Sequence, residues 1–582
     1  MGDWPARLLQ VSTWTSLEWQ PGNIYGSQKE PPYAIISYTW GRWALPTHDR
    51  PTLNVSGITW EIPPINPVLF TVAEFENILR TACTKAETDF VWIDVACIDQ
   101  TEGSRQKDKE IGRQAKIFRG ATKAFIWMVD ERNKDEASHD ILRKLESVSV
   151  AAHTASHPDT PDHNCSASEK SSLGPSAEGV SDNQANRKWI GDAALHVSNL
   201  IGIPWFSSIW TLQEAFLRQE AEFLDRQGRY SFSVTGDVFT LDDVLTHCNH
   251  LYQLCSPAAN PLTRSPEDNV GSVLVLKAGL ISMLERTGLH ALADRDRTTL
   301  YACATARQAH DPNDRIYGIM QVWNFQLGKA APGASLNRKW TTDELALEFG
   351  KKLLDEFPVE SQLHVHKSAP PGRQSWRVSN TSAVPRYPIW VADSGHLEGI
   401  IDRRGSTLHC RLVNGIVYGH FTGKSCSFAA LCQAWSLIPY RDDDPSETTS
   451  RANQAQIALD GTEILHDTLF QKRYSLRDVP DDKQQELAAS ICAFSERVSR
   501  RISVLLLGIV KQQQGEILRT IAIGLIVMEA PDEAIGGWQK RLGFCLWDVP
   551  CNDDPRSNTD GVVVDILSAD SSVWELGECI FG

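Results

Sequence analysis

Residues 33–39 read YAIISYT, an apolar run of β-forming side chains that ends at Trp40 and Gly41. A run that is apolar at odd and even positions alike fits a strand buried on both faces, the kind that helices cover in a parallel sheet. Residues 90–95, FVWIDV, and 123–129, KAFIWMV, have the same texture. Between the first two runs, Val68, Val72, Phe75, Leu79 and Ala82 recur every three or four places, the single apolar stripe of a helix. Between the second and third, Ile111, Ala115, Phe118 and Ala121 predict a helix over residues 105–121. Strand, helix, strand, helix, strand with short links is the order of a parallel sheet wrapped by helices. Ligands of such sheets bind beyond the carboxyl ends of the strands, which is where Trp40, Gly41 and Asp94 fall. Residues 53–62 read as a small hairpin turning at Ser56 and Gly57.

Further along, residues 205–217, WFSSIWTLQEAFL, read as one helix. Ile209, Leu212 and Phe216 share a face at about 100° per residue, whereas Trp210 and Glu214, four apart, sit together off it. Pro204 suits a first turn, and Ser207 and Ser208 can cap its free N–H groups. On spacing alone Glu214 is more simply a surface carboxylate beside a packed Trp. Around this element lie a helix at 189–201, a strand at 221–224, and a helix at 241–254 opened by Thr240 and Asp243. Residues 310–319, HDPNDRIYGI, form a proline turn in which Asp311 caps and Asp314 occupies the positive first turn, a structural role preferred to a catalytic one. Thr341 and Glu344 open a further helix carrying Leu345, Phe349 and Leu353.

Residues 151–187 hold few large apolar side chains and are expected to be a flexible insertion. Beyond about residue 370 the texture changes. Asn414-Gly415 between two apolar runs signals a hairpin, residues 503–510, 517–528 and 544–548 suit strands, and residues 441–451 make an acidic loop. The expected division is a lead-in at 1–32, an α/β domain at 33–320, a helical connector at 321–370 and a β-rich domain at 371–582.

A chain of 582 residues exceeds one core. Lys plus Arg at 57 against Asp plus Glu at 73 leaves −16, which argues against phosphate-driven nucleic-acid binding. The 13 Cys show no CxxC pair and no zinc spacing, so reduced thiols in a cytoplasmic protein, without a metal, are expected. Arg519 interrupts the longest apolar run, 517–528, so no membrane span is expected, and MGDWPARLLQ lacks a secretion signal.

Three segments, in order, resemble the signatures of the fungal heterokaryon-incompatibility (HET) domain: YAIISYTWG at 33–41, VWIDVACIDQ at 91–100 and WFSSIWTLQE at 205–214. Glu110, Gln114, Phe118 and Ala121 fit the stretch between, and HDPNDRIYGI resembles the arginine-aspartate turn that follows. The likeness covers roughly residues 33–320, with one departure: Ser208 stands where the third signature usually has Arg. HET domains in turn resemble the Toll/interleukin-1 receptor (TIR) domain, a flavodoxin-like parallel sheet with helices on both faces. In the TIR members that are enzymes, a Glu four residues after a Trp cleaves the nicotinamide glycosidic bond of NAD.

The resemblance therefore implies a role in heterokaryon incompatibility and programmed cell death, akin to innate immunity. It casts Glu214 as the catalytic residue and NAD, or a related nucleotide, as substrate, with no cofactor. Ser37, Tyr38, Trp40, Gly41, Asp94, Gln100, Trp210 and Gln213 would line the substrate. Breaking the ribosyl bond to a cationic nicotinamide develops oxocarbenium character on the ribose that a carboxylate stabilises. Aromatics could stack on the ring, and N–H groups after Gly41 could meet the diphosphate. Cys97 has no His at a telling distance and is a poor nucleophile candidate. The alternative is a non-catalytic, self-assembling signalling module, which Ser208 mildly favours. A third reading, a hydrolase acting through Asp311 and Asp314, requires that turn to reach Glu214.

Overall fold

The structure is a computed structural model. It describes residues 2–39, 51–67, 69–101, 103–129, 138–156, 182–255, 270–293, 297–335, 338–368, 370, 373–379, 382–385, 397–436, 456–461, 484–514, 517–530, 538–549 and 561–582. Two compact units, Met1–Thr342 and Asp343–Gly582, divide the chain.

The first unit is built on a six-stranded sheet of β1 (Arg7–Gln10), β2 (Thr15–Glu18), β3 (Ala34–Ser37), β4 (Phe90–Trp92), β5 (Lys123–Trp127) and β6 (Glu222–Leu224), in spatial order β2-β1-β4-β3-β5-β6. β3 pairs in parallel with β4 on one side, Ala34 opposite Val91, and with β5 on the other, Ala34 opposite Lys123 through Ser37 opposite Ile126. β6 extends the parallel set and β1 adds antiparallel to β4. From β3 the chain goes to one neighbour and then crosses to the other, so strand order reverses between β3 and β5, the doubly wound arrangement whose crevice lies at the carboxyl ends. All four residues of β3 are buried, as its uniform apolarity requires.

The strands are shorter than read, each ending two or three residues before its apolar run does. β4 stops at Trp92, and Asp94–Cys97 makes a single helical turn instead. Residues 1–32 contribute β1, β2 and a two-residue ladder of Ile24–Tyr25 with Gln28–Lys29. Elements of two to four residues are too short to show a period. Residues 53–62 form no hairpin: Ser56 docks on β2, its N–H donating to Trp14 O at 2.8 Å and its carbonyl accepting from Ser16 N at 2.9 Å.

Helix α1 (Val72–Lys85) begins at a capping box of Thr71 and Glu74, and Val68 lies outside the described residues. Glu74 also receives Arg226 Nε at 2.7 Å. Thr71→Ala should therefore lower the stability of this unit by about 1 kcal/mol, read as a lower urea midpoint of amide exchange in α1. The helix read at 105–121 is two, α2 (Arg105–Ile111) and α3 (Gln114–Gly120), broken at Gly112 and Arg113. Arg113 there turns to the carbonyls of Gly2 and Trp4 and to Glu110.

Helices α4 (Ser138–Ser156) and α5 (Asp182–Gly202) run into both ends of the expected insertion, so 151–156 and 182–187 are helical and 157–181 lie outside the described residues. A helix already nucleated by its buried Ile141, Leu142 and Leu145 propagates through polar, Ala-containing sequence at little cost. Helix α6 (Trp210–Leu217) precedes β6, and α7 (Leu241–Cys255) starts at Thr240 and Asp243, whose side chains exchange hydrogen bonds with each other's backbone N–H groups.

The second unit is β-rich. β7 (Thr407–Val413) and β8 (Ile416–Ser427) form a hairpin at Asn414-Gly415, both at positive φ as a type I′ turn needs. With β9 (Ile502–Gln514), β10 (Ile517–Glu529), β11 (Trp538–Asp548) and β12 (Glu575–Phe581), pairing runs β9-β10-β11-β12-β8 and returns to β9 through Ser425 opposite Leu505, closing a ring of five strands. Alternate residues of β9 serve two cores, Val504 and Leu506 in one, Leu505 and Leu507 in the other. Residues 321–370 are shared between the units, and 441–451 lie outside the described residues. Among the described residues no helix is long and apolar enough to cross a membrane.

Candidate functional site

The carboxyl end of β3 delivers Ser37 and Tyr38, that of β4 delivers Asp94, and α6 brings Glu214 to them. Ser37 Oγ donates to Glu214 Oε2 and accepts Trp205 Nε1–H at 2.6 Å. Tyr38 OH donates to Asp94 Oδ1 at 2.5 Å, and the same oxygen accepts Val95 N–H at 2.8 Å. Gln100 Nε2 donates to the carbonyls of Asp94 and Ile98, at 3.0 and 2.9 Å, so its amide holds its own loop. Gln213 is buried, and its Oε1 has no partner among the described residues. Trp40 and Gly41 lie outside the described residues.

Helix α6 starts at Trp210, not at Trp205, because Pro204–Ser207 winds as a 3₁₀ turn and residue 208 is extended. The N-cap of α6 is Ile209, with no side-chain cap; Ser207 Oγ donates to Pro204 O at 3.2 Å, and the backbone at 207–209 pairs with Gln308. Thr211 holds the junction, donating to Trp205 O at 2.6 Å and to Ser208 O at 3.0 Å. Ile209 and Leu212 are buried, while Trp210 and Glu214 keep partial exposure.

The electrostatics follow from burial without a counter-charge. Burial pushes the Glu214 carboxyl up to about 8, against the Ser37 hydrogen bond that favours ionisation and with the nearby Asp94 adding to the rise. Burial raises Asp94 as well, although Tyr38 and Val95 donate to it, and it raises Tyr38, which also faces Asp94. Among the described residues Glu214 makes no ion pair. At neutral pH most of the Glu214 population carries its proton.

The 310–319 turn packs beside α6. Burial and then Asp311 raise Asp314, which the Trp210 indole opposes by hydrogen bonding to it. A Cβ on Gly318 would meet Ile209 Cγ1 at 3.2 Å, so the two segments are in close contact. The helical turn there is Asp314–Tyr317 with Asn313 at its N-cap and no side-chain cap, so Asp311 does not cap it but accepts Asn313 N–H at 2.9 Å in the turn before it. Sequence reasoning missed Trp205, Thr211 and Arg307. Arg307 Nη1 donates to Ser208 O at 3.2 Å and its Nε to Thr287 O at 3.1 Å, and nothing local marks a residue so far along the chain as a partner of this junction.

A shallow groove of about 450 Å³, lined by Val11, Ser12, Arg80, Cys83, Thr84 and Asp89 among others, lies at the amino end of β4 and includes none of these groups. Among the described residues no trio of His, Cys, Asp or Glu is placed to hold a metal. No curated protein and no solved structure matches the chain. Residues 33–214, from the entry to β3 as far as Glu214 itself, match the family described as Heterokaryon incompatibility protein (HET). This stretch of the chain thus matches a HET domain, which suggests involvement in heterokaryon incompatibility.

Proposed function

We propose that the HET domain cleaves the bond between nicotinamide and ribose in NAD, with Glu214 facing the reacting ribose, and that this activity serves cell death during incompatibility. The observation that carries the reading is a largely buried carboxyl, Glu214, at the reversal of strand order, bound to Ser37 and facing no cation among the described residues. Described residues that place no positive group beside this carboxyl suit a ligand that brings its own. The nicotinamide ring is cationic until the bond breaks and leaves neutral, so departure needs no general acid. The developing oxocarbenium is stabilised by the ionised carboxylate. The likeness to TIR enzymes, with Trp210 four residues before Glu214, supports the same assignment. Trp210, oriented by Asp314, offers a face for the ring.

Only the ionised carboxylate stabilises positive charge, so the rate should climb with pH until Glu214 is ionised, near 8. The test is nicotinamide release from NAD by the full chain at high or tethered concentration. Wild type should turn over faster as pH rises, and Glu214→Gln should lose at least about a hundredfold. A wild type that leaves NAD intact under these conditions, or a Gln variant that keeps its rate, overturns the proposal.

One observation favours the non-catalytic module instead: the Tyr38 hydroxyl and the Gln100 amide are both engaged by protein rather than open to a ligand. On that reading the purified chain self-associates with concentration and NAD is unchanged throughout.

A further inference from the structure

We propose that Trp205 and Ser37 are positioning residues, a two-step hydrogen-bond relay that aims the Glu214 carboxyl, with Ser37 serving the protein and not a ligand. The proposal rests on the reading of Glu214 given above. Its direction is set by chemistry. An indole N–H only donates, so Trp205 must give its proton to Ser37 Oγ, at 2.6 Å. Once Glu214 is ionised it only accepts, so in that form the single Ser37 hydroxyl proton points to Glu214 Oε2. In that ionised, reactive form the hydroxyl proton is committed and no donor is left for a substrate. That departs from the role the family resemblance implies for Ser37.

The far end of the relay is rigid. Trp205 is 2% exposed and stands edge-on to Phe206, 5.0 Å at 81°, and to Phe223 of β6, 6.4 Å at 78°. Its carbonyl accepts Thr211 Oγ1 at 2.6 Å and Arg307 Nη1 at 3.4 Å, and the same guanidinium ties Ser208 O and Thr287 O into the junction. Ser37 is held by β3, between two parallel neighbours. The carboxyl is thus oriented by a locked aromatic and a central strand, although Glu214 itself hangs from a helix of eight residues. Donation along the chain also polarises each bond, so the indole makes the hydroxyl a better donor to the carboxylate.

The experiment is titration of Glu214 in the full chain, labelled on the glutamate carboxyl and assigned by loss of its signal in Glu214→Gln. Ser37→Ala removes the donor and should move the titration upward. Trp205→Phe removes the N–H while keeping an aromatic ring, smaller than the indole, at the site and should move it upward by less. Ser37→Thr restores a hydroxyl and should restore the wild-type midpoint. If NAD is cleaved, each unit of upward shift should lower kcat at neutral pH about tenfold with KM unchanged, and alkaline pH should recover it. A Ser37→Ala or Trp205→Phe protein whose Glu214 titrates as in wild type overturns the relay, as does a Ser37→Thr protein that fails to restore it. Because the titration needs no turnover, a chain inactive on NAD can still display the relay, and an active one can lack it.

Discussion

Asp460→Ala is expected to cost the second unit about 3–5 kcal/mol, the largest loss of stability from any single replacement considered. Arg541 on β11 has a side chain with 0% exposure, and its Nη1 donates to both carboxylate oxygens of Asp460 at 2.8 Å. Nη2 donates to Gln362 O at 3.0 Å and to His364 O. Asp460 also accepts His366 N–H at 2.9 Å, so one carboxylate ties β11 to the segment around residues 362–366. Truncating it leaves a guanidinium in the core with carbonyls alone, whose partial charges do not replace a full one. Replacing both partners with apolar residues of similar size removes the stranded charge and should cost far less. Amide exchange of peptides from β9 and β11 across a urea series checks the result, because it isolates this unit from the other. A change below about 1 kcal/mol in Asp460→Ala would show that water reaches Arg541 and that the pair is not a buried one.

Acid should weaken the same unit, beginning near pH 6.5. His364 and His366 are buried with Nε2 atoms 3.2 Å apart. A neutral pattern satisfies both rings. His364 Nδ1–H donates to Ser361 O at 2.8 Å, leaving Nε2 as acceptor. His366 Nε2–H donates to His364 and to Ser375 O at 3.0 Å, while its Nδ1 accepts Ser382 Oγ–H at 3.1 Å. Burial holds both imidazoles below the ordinary value of 6.5, Arg541 adding repulsion to each, with His366 also repelling His364 and Asp460 partly offsetting the effect at His366. Since the folded pKa lies below the unfolded one, the unfolded chain takes up protons first as pH falls. The contribution is complete above about pH 7.5 and declines below 6.5, with a limiting slope of about 2.7 kcal/mol per pH unit for two groups. The urea midpoint of β9 exchange should fall from neutral pH to pH 5.5, and His366→Gln should flatten that fall. A wild-type midpoint that does not move would mean the rings are protonated in the folded state.

The strands of the parallel sheet were legible because a strand covered on both faces is apolar at every position, a purely local property carried by residues 33–39, 90–95 and 123–129. The Asn414-Gly415 hairpin and the cap at Thr240 were marked by residue types whose backbone preferences act within four residues. Where reading failed, the deciding contact was distant. Ser56-Gly57 makes a bend, but β2 takes it as a neighbour instead of letting it fold on itself. Arg113 breaks a helix of continuous apolar period by reaching the first residues of the chain.

The candidate site divides the same way. Sequence by itself determined which runs form the buried strands and that Trp210 and Glu214 share one side of a helix, the first from unbroken apolarity and the second from a period of 3.6. Only the tertiary structure decided that Ser37 meets a carboxyl 177 positions away and an indole 168 away, that Asp314 reaches Trp210, and that Arg307 clasps the start of α6. The physical reason is that a hydrogen bond across the fold leaves no periodic trace in either partner. The proton on Glu214 likewise depends on how little water reaches it, a property of everything packed around the carboxyl and not of its neighbours in the chain.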